Sequence, residues 1–283
     1  MNCYKSGWTI CFIILLLANT GISQEAQRAE PEEEAKSQSI DEMLLFFPSK
    51  YPSGDWNPSK LRFEDVFFSS QDETKLHGWY CPCESPRAVI LLAHGNAGHV
   101  ASRARWLSYL QNKAKVSVFI FDYRGYGRSE GTPTVEGVLQ DANAAMAKLC
   151  ELAAIKEAEM VIMGESLGGA IAVQLASTSQ PRGLVLQSTF SSLREVADIY
   201  APKFSWLVPR NRLNSVGQIA RYQGPLLQSH GTDDTTIPFA LGEKLFLAAN
   251  EPKQFVSIEH GDHNNWLTDA YLRKFDEFLN SLR

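Results

Sequence analysis

A serine hydroxyl becomes a useful nucleophile only when a base takes its proton and a carboxylate holds that base in one tautomer. The sequence offers all three residue types in settings that suit the work. Residues 160–176 read MVIMGESLGGAIAVQLA: a short apolar run, then G-x-S-x-G around Ser166, then small apolar residues with helical spacing at Ile171 and Leu175. A serine at the tip of a strand–turn–helix is held in a strained backbone conformation, so Gly164 and Gly168 must be small. The helix that follows points its first N–H groups at the same place. Downstream, HGTDDTTIP (230–238) places Asp233 and Asp234 behind one apolar run, and EHGDHNN (259–265) places His260 and His263 behind another. Upstream, HGNAG (94–98) follows a further apolar run. Backbone N–H groups stabilise a developing oxyanion, and those of Asn96 and Leu167 are the expected donors.

These loops need strands to hold them. Residues 61–69 and 74–81 read as two strands joined by a polar turn, which gives the sheet an antiparallel start. Residues 88–93, 116–121, 160–163, 183–187, 225–229 and 254–258 read as buried strands, eight in all. Helical patterns at residues 100–110, 135–152, 169–176, 240–249 and 266–282 alternate with them. Such alternation predicts an α/β fold with a mostly parallel sheet and helices on both faces. Loops at the carboxyl ends of such strands share one edge, where functional residues collect.

The rest of the chain sets limits. It has 283 residues, 44% hydrophobic and 21% charged, enough for one large domain. A net charge of -5 without a broad basic footprint argues against nucleic-acid binding. Lys5, the apolar run from Trp8 to Ala18 and the small residues after it predict a signal peptide over residues 1–23, hence export. The alternative is an uncleaved membrane anchor. Residues 24–39 are glutamate-rich and read as a disordered linker, with the domain at 40–283 and residues 43–51 packing on its core. Cys81, Cys83 and Cys150 read as packing residues, with Cys81 or Cys83 exposed. No histidine–carboxylate spacing suits a metal, and no cofactor is expected. Residues 191–222 are too long for an ordinary crossover and carry five cations against two carboxylates, with Tyr200, Phe204, Trp206, Leu207 and Val208. They read either as a cap that meets acyl chains or an anionic membrane surface, or as a crossover whose aromatics pack on the sheet. His94 is expected to tie its loop to the turn holding Asp122, and His230 to be a turn residue. His77 and His99 are expected at the surface or in packing. Arg124 and Arg128 are read as part of a glycine-rich turn, with phosphate binding as the alternative.

HGNAG, DYRGYGRSEGTPT (122–134), GESLGG, HGTDDTTIP and HGDHN together resemble a serine-hydrolase branch of the α/β-hydrolase superfamily. That branch includes bacterial hydrolases of unassigned substrate and the eukaryotic α/β-hydrolase-domain depalmitoylases. The resemblance runs from about residue 44 to the C-terminus. It implies an α/β-hydrolase fold with a small cap, and a carboxylic-ester or thioester hydrolase acting on a small-molecule or lipid-like acyl substrate. It implies the chain order serine, aspartate, histidine: Ser166, then Asp234 by its Asp-x-x-Ile-Pro spacing, then His263 by Gly-x-His-Asn. Glu165 stands where the family often has arginine or histidine, and Asn265 where it usually has an acidic residue; neither belongs to the triad. Two other readings stand beside this one, an aminopeptidase-like amidase and a catalytically silent fold used for binding.

Overall fold

Apolar runs of five or six residues, wholly buried, form the centre of the protein. The computed structural model describes residues 38–282; the leader and all but the end of the linker lie outside the described residues. The described chain begins at helix α1 (Ile40–Leu45) and the two-residue strand β1 (Phe47–Pro48). Strands β2 (Glu64–Ser69) and β3 (Lys75–Cys81) form an antiparallel hairpin. β4 (Val89–Ala93) leads to the short β5 (Ala97–Gly98), which pairs with β1, and then to α2 (Ala104–Tyr109). β6 (Ser117–Asp122), α3 (Val135–Ala153), β7 (Val161–Glu165), α4 (Leu167–Ser179) and β8 (Gly183–Gln187) alternate. The long connection that follows carries α5 (Leu193–Tyr200) and α6 (Ser215–Ile219). β9 (Leu226–Gly231), α7 (Phe239–Ala248), β10 (Lys253–Ile258) and α8 (Asp269–Ser281) complete the chain.

Eight strands make one sheet in the order β10-β9-β8-β7-β4-β6-β3-β2. Only β3 runs antiparallel to its neighbours; the other pairs are parallel. Side chains on a strand alternate between faces, and the core divides accordingly. Leu91, Phe119 and Ile162 pack with α3 and α4 on one face. Ile90, Ile120 and Met163 pack on the other, with Trp106 of α2 and Phe275 of α8. Glu165, Gln187 and Ser229 stand in register across β7, β8 and β9, and Gly231 pairs with Ile258 of β10. The loops that follow these strands therefore open at one edge.

Several expectations change. The helix expected from residue 100 starts as a tight turn, because the Val100 N–H is given to Asp122 Oδ1 at 2.8 Å; α2 begins only at Ala104. The last helix starts at Asp269, where the Thr268 hydroxyl caps the Tyr271 N–H. The segment 43–51 does not pack on the core as a whole: Phe46 is buried, whereas Met43, Leu44 and Phe47 face outward. A six-residue helix on an edge can press only one side inward. Cys81 is buried and Cys83 half-buried, so neither is exposed. Burial pushes the Cys81 thiol up to about 12.

Of the two places expected for His77, surface or packing, the structure has packing. His77 is fully buried between Asp65, 2.7 Å from Nε2, and Asp122, 3.1 Å from Nδ1. Arg124 takes Asp141 and Asp72 as partners, and Arg128 pairs with Asp65 and lies over the Tyr51 ring. Both guanidinium groups are thus neutralised by carboxylates, which removes the phosphate alternative.

Candidate active site

Ser166 sits between β7 and α4 at φ 53° and ψ -117°, a conformation that a non-glycine residue holds only when its surroundings force it. The surroundings are visible. Ser166 N–H donates to Gln187 O at 2.8 Å, and the Thr189 hydroxyl and Gly169 N–H donate to Ser166 O at 2.7 and 2.9 Å. A Cβ on Gly164 would come within 2.2 Å of Gly168 O, and one on Gly168 within 2.1 Å of Ala93 O. The two glycines are therefore required by close backbone contact between β7, α4 and the end of β4. The Ser166 side chain opens onto a pocket of about 550 Å³, and its hydroxyl has no hydrogen-bond partner among the described residues.

The loop after β4 comes up against this serine: a Cβ at Gly95 would lie 3.6 Å from Ser166 Cβ. Its peptides are held from below. Tyr123 Oη donates to His94 O at 2.6 Å and Tyr126 Oη to Asn96 O at 2.7 Å. His94 Nδ1 lies 2.7 Å from Gly95 O. In a trans peptide the C=O of Gly95 and the N–H of Asn96 point in opposite directions, so this bond fixes the direction of the Asn96 N–H. Burial pushes His94 down to about 4, which keeps the ring neutral with its proton on Nδ1. His94 thus orients its own loop. The expected link to the turn holding Asp122 runs through the neighbouring Tyr123, whose hydroxyl donates to His94 O and whose ring lies 4.3 Å from the imidazole; Asp122 itself is taken by His77 and the Val100 N–H. Neither Asn96 N–H nor Leu167 N–H, the first of α4, is used by another hydrogen bond among the described residues. Both residues line the pocket.

The third component comes from the loops after β9 and β10. Asp234 Oδ2 accepts from His263 Nδ1 at 2.8 Å and lies 3.2 Å from His230 Nε2. Its Oδ1 accepts the N–H groups of Thr236 and Ile237 at 2.8 and 2.7 Å. Burial alone would raise this carboxyl; the hydrogen bonds from His230, His263 and Ile237 more than offset it and hold it well below the usual range. With its Nδ1 proton given to an ionised carboxylate, His263 keeps its lone pair at Nε2, and Nε2 makes no hydrogen bond among the described residues. Asp262 Oδ1 ties the two loops by accepting from Thr235 N–H at 2.9 Å. His230 is not the expected turn residue: it belongs to β9, is fully buried, and braces Asp234 while its Nε2 donates to Ile237 O at 2.8 Å. Its spacing of four residues before Asp234 was the available signal.

The pocket walls include a part that the sequence reading missed. Ile40, Leu44 and Leu45 of α1 face Leu193, Val196 and Tyr200 of α5 and Phe204, Leu207 and Val208 beyond it. Arg212 bridges the two walls, donating to Asp41 at 2.6 Å and to Ser39 Oγ at 3.0 Å. Glu42 fixes α1 by accepting from Ser39 N–H and Val135 N–H. The Tyr200 hydroxyl reaches the carbonyls of Thr235 and Thr236 at 2.7 Å, joining α5 to the Asp234 loop. Tyr200, Phe204 and Trp206 do not pack on the sheet; all three are exposed, and Trp206 is not in the lining.

Comparison with known proteins agrees with this architecture. The family described as serine aminopeptidase, S33, matches residues 84–221. An uncharacterized protein of Salmonella typhi, YfhR, is 33% identical over 81% of this chain and 84% of its own length. The α/β-hydrolase domain-containing protein WAV2 of Arabidopsis thaliana is 31% identical over 85% of this chain and 87% of its own. An esterase of Pyrococcus furiosus superposes with a TM-score of 0.70 at 18% identity, covering 84% of this chain and 97% of that one. The strand order, the turn at Ser166 and these relatives lead to one conclusion: the chain belongs to the α/β-hydrolase superfamily of hydrolytic enzymes.

Proposed function

We propose that this chain is a serine hydrolase that cleaves carboxylic esters or thioesters through an acyl-enzyme. The observation that carries the reading is the placement of Ser166, in its strained turn, in the lining of an apolar pocket on the sheet edge where Asp234 holds His263. His263 Nε2 takes the proton of Ser166 as Oγ attacks the acyl carbonyl. The carbonyl oxygen becomes an oxyanion, which the Asn96 and Leu167 N–H groups stabilise. The imidazolium, stabilised by Asp234, returns its proton to the leaving alcohol or thiol as the C–O or C–S bond breaks. Water, deprotonated by His263, then attacks the acyl-enzyme, and the acid departs as Ser166 recovers its proton.

The pocket chemistry favours an acyl group over a peptide N-terminus. Binding a substrate ammonium group needs an unpaired carboxylate. Asp41 is the one acidic side chain in the lining, and Arg212 already neutralises it at 2.6 Å. Glu165, next to the serine, is paired with Arg103 at 3.0 Å. A panel of p-nitrophenyl acyl esters, acyl thioesters and aminoacyl amides tests the reading. Esters or thioesters should turn over, with kcat/KM rising from acetyl to longer chains, while aminoacyl amides should not. Aminoacyl amides as the best substrates would replace it with a peptidase.

A further inference from the structure

Soluble domains scatter their exposed apolar side chains; a concentration of them marks a contact surface. Here they collect around the mouth of one pocket. Ile40 and Leu44 stand exposed on the α1 wall, and Tyr200, Phe204 and Leu207 on the opposite wall, all five also lining the pocket. Met43, Ile199 and Trp206 extend the same rim outside the lining, with Trp206 at 68% exposure. These eight make up most of the twelve large apolar side chains that are exposed among the described residues. Lys203 and Arg210, both exposed, stand in the same wall and make no ion pair among the described residues.

We propose that this rim is a membrane-docking surface, which seats the pocket mouth on an anionic phospholipid bilayer. Tyrosine and tryptophan beside unpaired cations are the side chains that a bilayer interface accepts, ring or stem in the acyl boundary and polar tip among the headgroups. Lys203 and Arg210 supply the charge that complements an anionic lipid. The rim is also continuous with the apolar lining, so a chain lifted from the bilayer stays out of water as far as Ser166. Delivery of an acyl chain rests on the esterase reading above; the docking itself does not.

The test uses the full chain, so that the apolar run of residues 8–18 is common to every sample. Trp206 fluorescence is taken as the difference between wild type and Trp206→Phe. Adding phosphatidylcholine–phosphatidylglycerol vesicles should shift this difference spectrum to the blue, and brominated acyl chains in the vesicles should quench it. Pure phosphatidylcholine or high salt should weaken both effects. A chain carrying Met43→Ser, Ile199→Ser and Trp206→Ser together should hydrolyse a monomeric butyryl ester at the wild-type rate. It should hydrolyse a long-chain ester presented in the vesicles at least about tenfold more slowly. An unchanged Trp206 signal while the chain sediments with vesicles would overturn the proposal and assign membrane contact to another segment. A blue shift that grows with protein concentration without lipid would overturn it in favour of a second copy of the chain. Absence of hydrolysis of either ester by wild type would remove the esterase reading and leave the fluorescence result standing.

Discussion

Two aspartate–histidine pairs lie side by side at the carboxyl edge of the sheet, and their sequences barely distinguish them. Asp233 and Asp234 are adjacent, and His260 and His263 stand three apart. Asp233 meets His260 at 3.1 Å, and Asp234 meets His263 at 2.8 Å. Their surroundings differ completely. The first pair has side chains 58% and 81% exposed; the second, 0% and 11%. Water competes for every bond of the first pair, and salt screens its charges. The second carboxylate is closed in by two backbone N–H groups and by His230, so its charge acts on His263 through little solvent. Burial with full hydrogen bonding, and not the presence of an aspartate beside a histidine, separates a group able to orient a catalytic base from a surface contact.

The strongest way to break this comparison is to neutralise each aspartate in turn. Asp234→Asn should leave His263 in the wrong tautomer and lower kcat on the order of 10⁴-fold, the loss known for a triad carboxylate. Asp233→Asn should change kcat less than about twofold, and His260→Ala should shift stability by no more than about 0.5 kcal/mol. Steady-state kinetics and chemical denaturation of the three variants check this, and a reversed ranking would transfer the role to the exposed pair.

Acid unfolding sharpens the same contrast with a smaller effect. The native carboxyl of Asp234 is held below its ordinary value of 3.8. Its contribution to stability is therefore complete above that value and is lost as pH falls from there through the lower native value, because the unfolded chain then binds a proton that the native chain does not. Asp234→Asn should lose less stability than wild type between about pH 4 and pH 2, as read from urea midpoints. Parallel slopes would mean that the carboxylate is not held by the native contacts seen around it.

The sheet was legible because its strands are apolar runs that fill both faces, and the turn at Ser166 was legible because backbone contact leaves no room for side chains at Gly164 and Gly168. On the sheet, what escaped was polar and buried. The strand expected at 225–229 runs on to Gly231, since His230 pairs with Ser257 of β10 although an apolar-run criterion stops before it. For His77 the choice between surface and packing stayed open for the same reason: a fully buried histidine reads as polar until Asp65 and Asp122 are seen to satisfy both its nitrogens. The α1 wall was missed because its apolar residues face a pocket and not the core. Its start was nonetheless signalled by Ser39-Ile40-Asp41-Glu42, a capping-box pattern whose glutamate does reach back to the Ser39 N–H. Of the apolar residues noted in the segment 191–222, Trp206 is exposed outside the lining, whereas Phe204 and Leu207 on either side of it reach the lining.

Everything proposed for this site depends on Ser166 forming a covalent bond. A fluorophosphonate probe transfers its phosphonyl group to an activated serine and needs the oxyanion donors and the base to do so. Wild-type protein should be labelled stoichiometrically, with mass spectrometry placing the adduct on the peptide containing Ser166, and Ser166→Ala, folded by circular dichroism, should take up none. Equal labelling of the two proteins, or no labelling of either, would contradict the account.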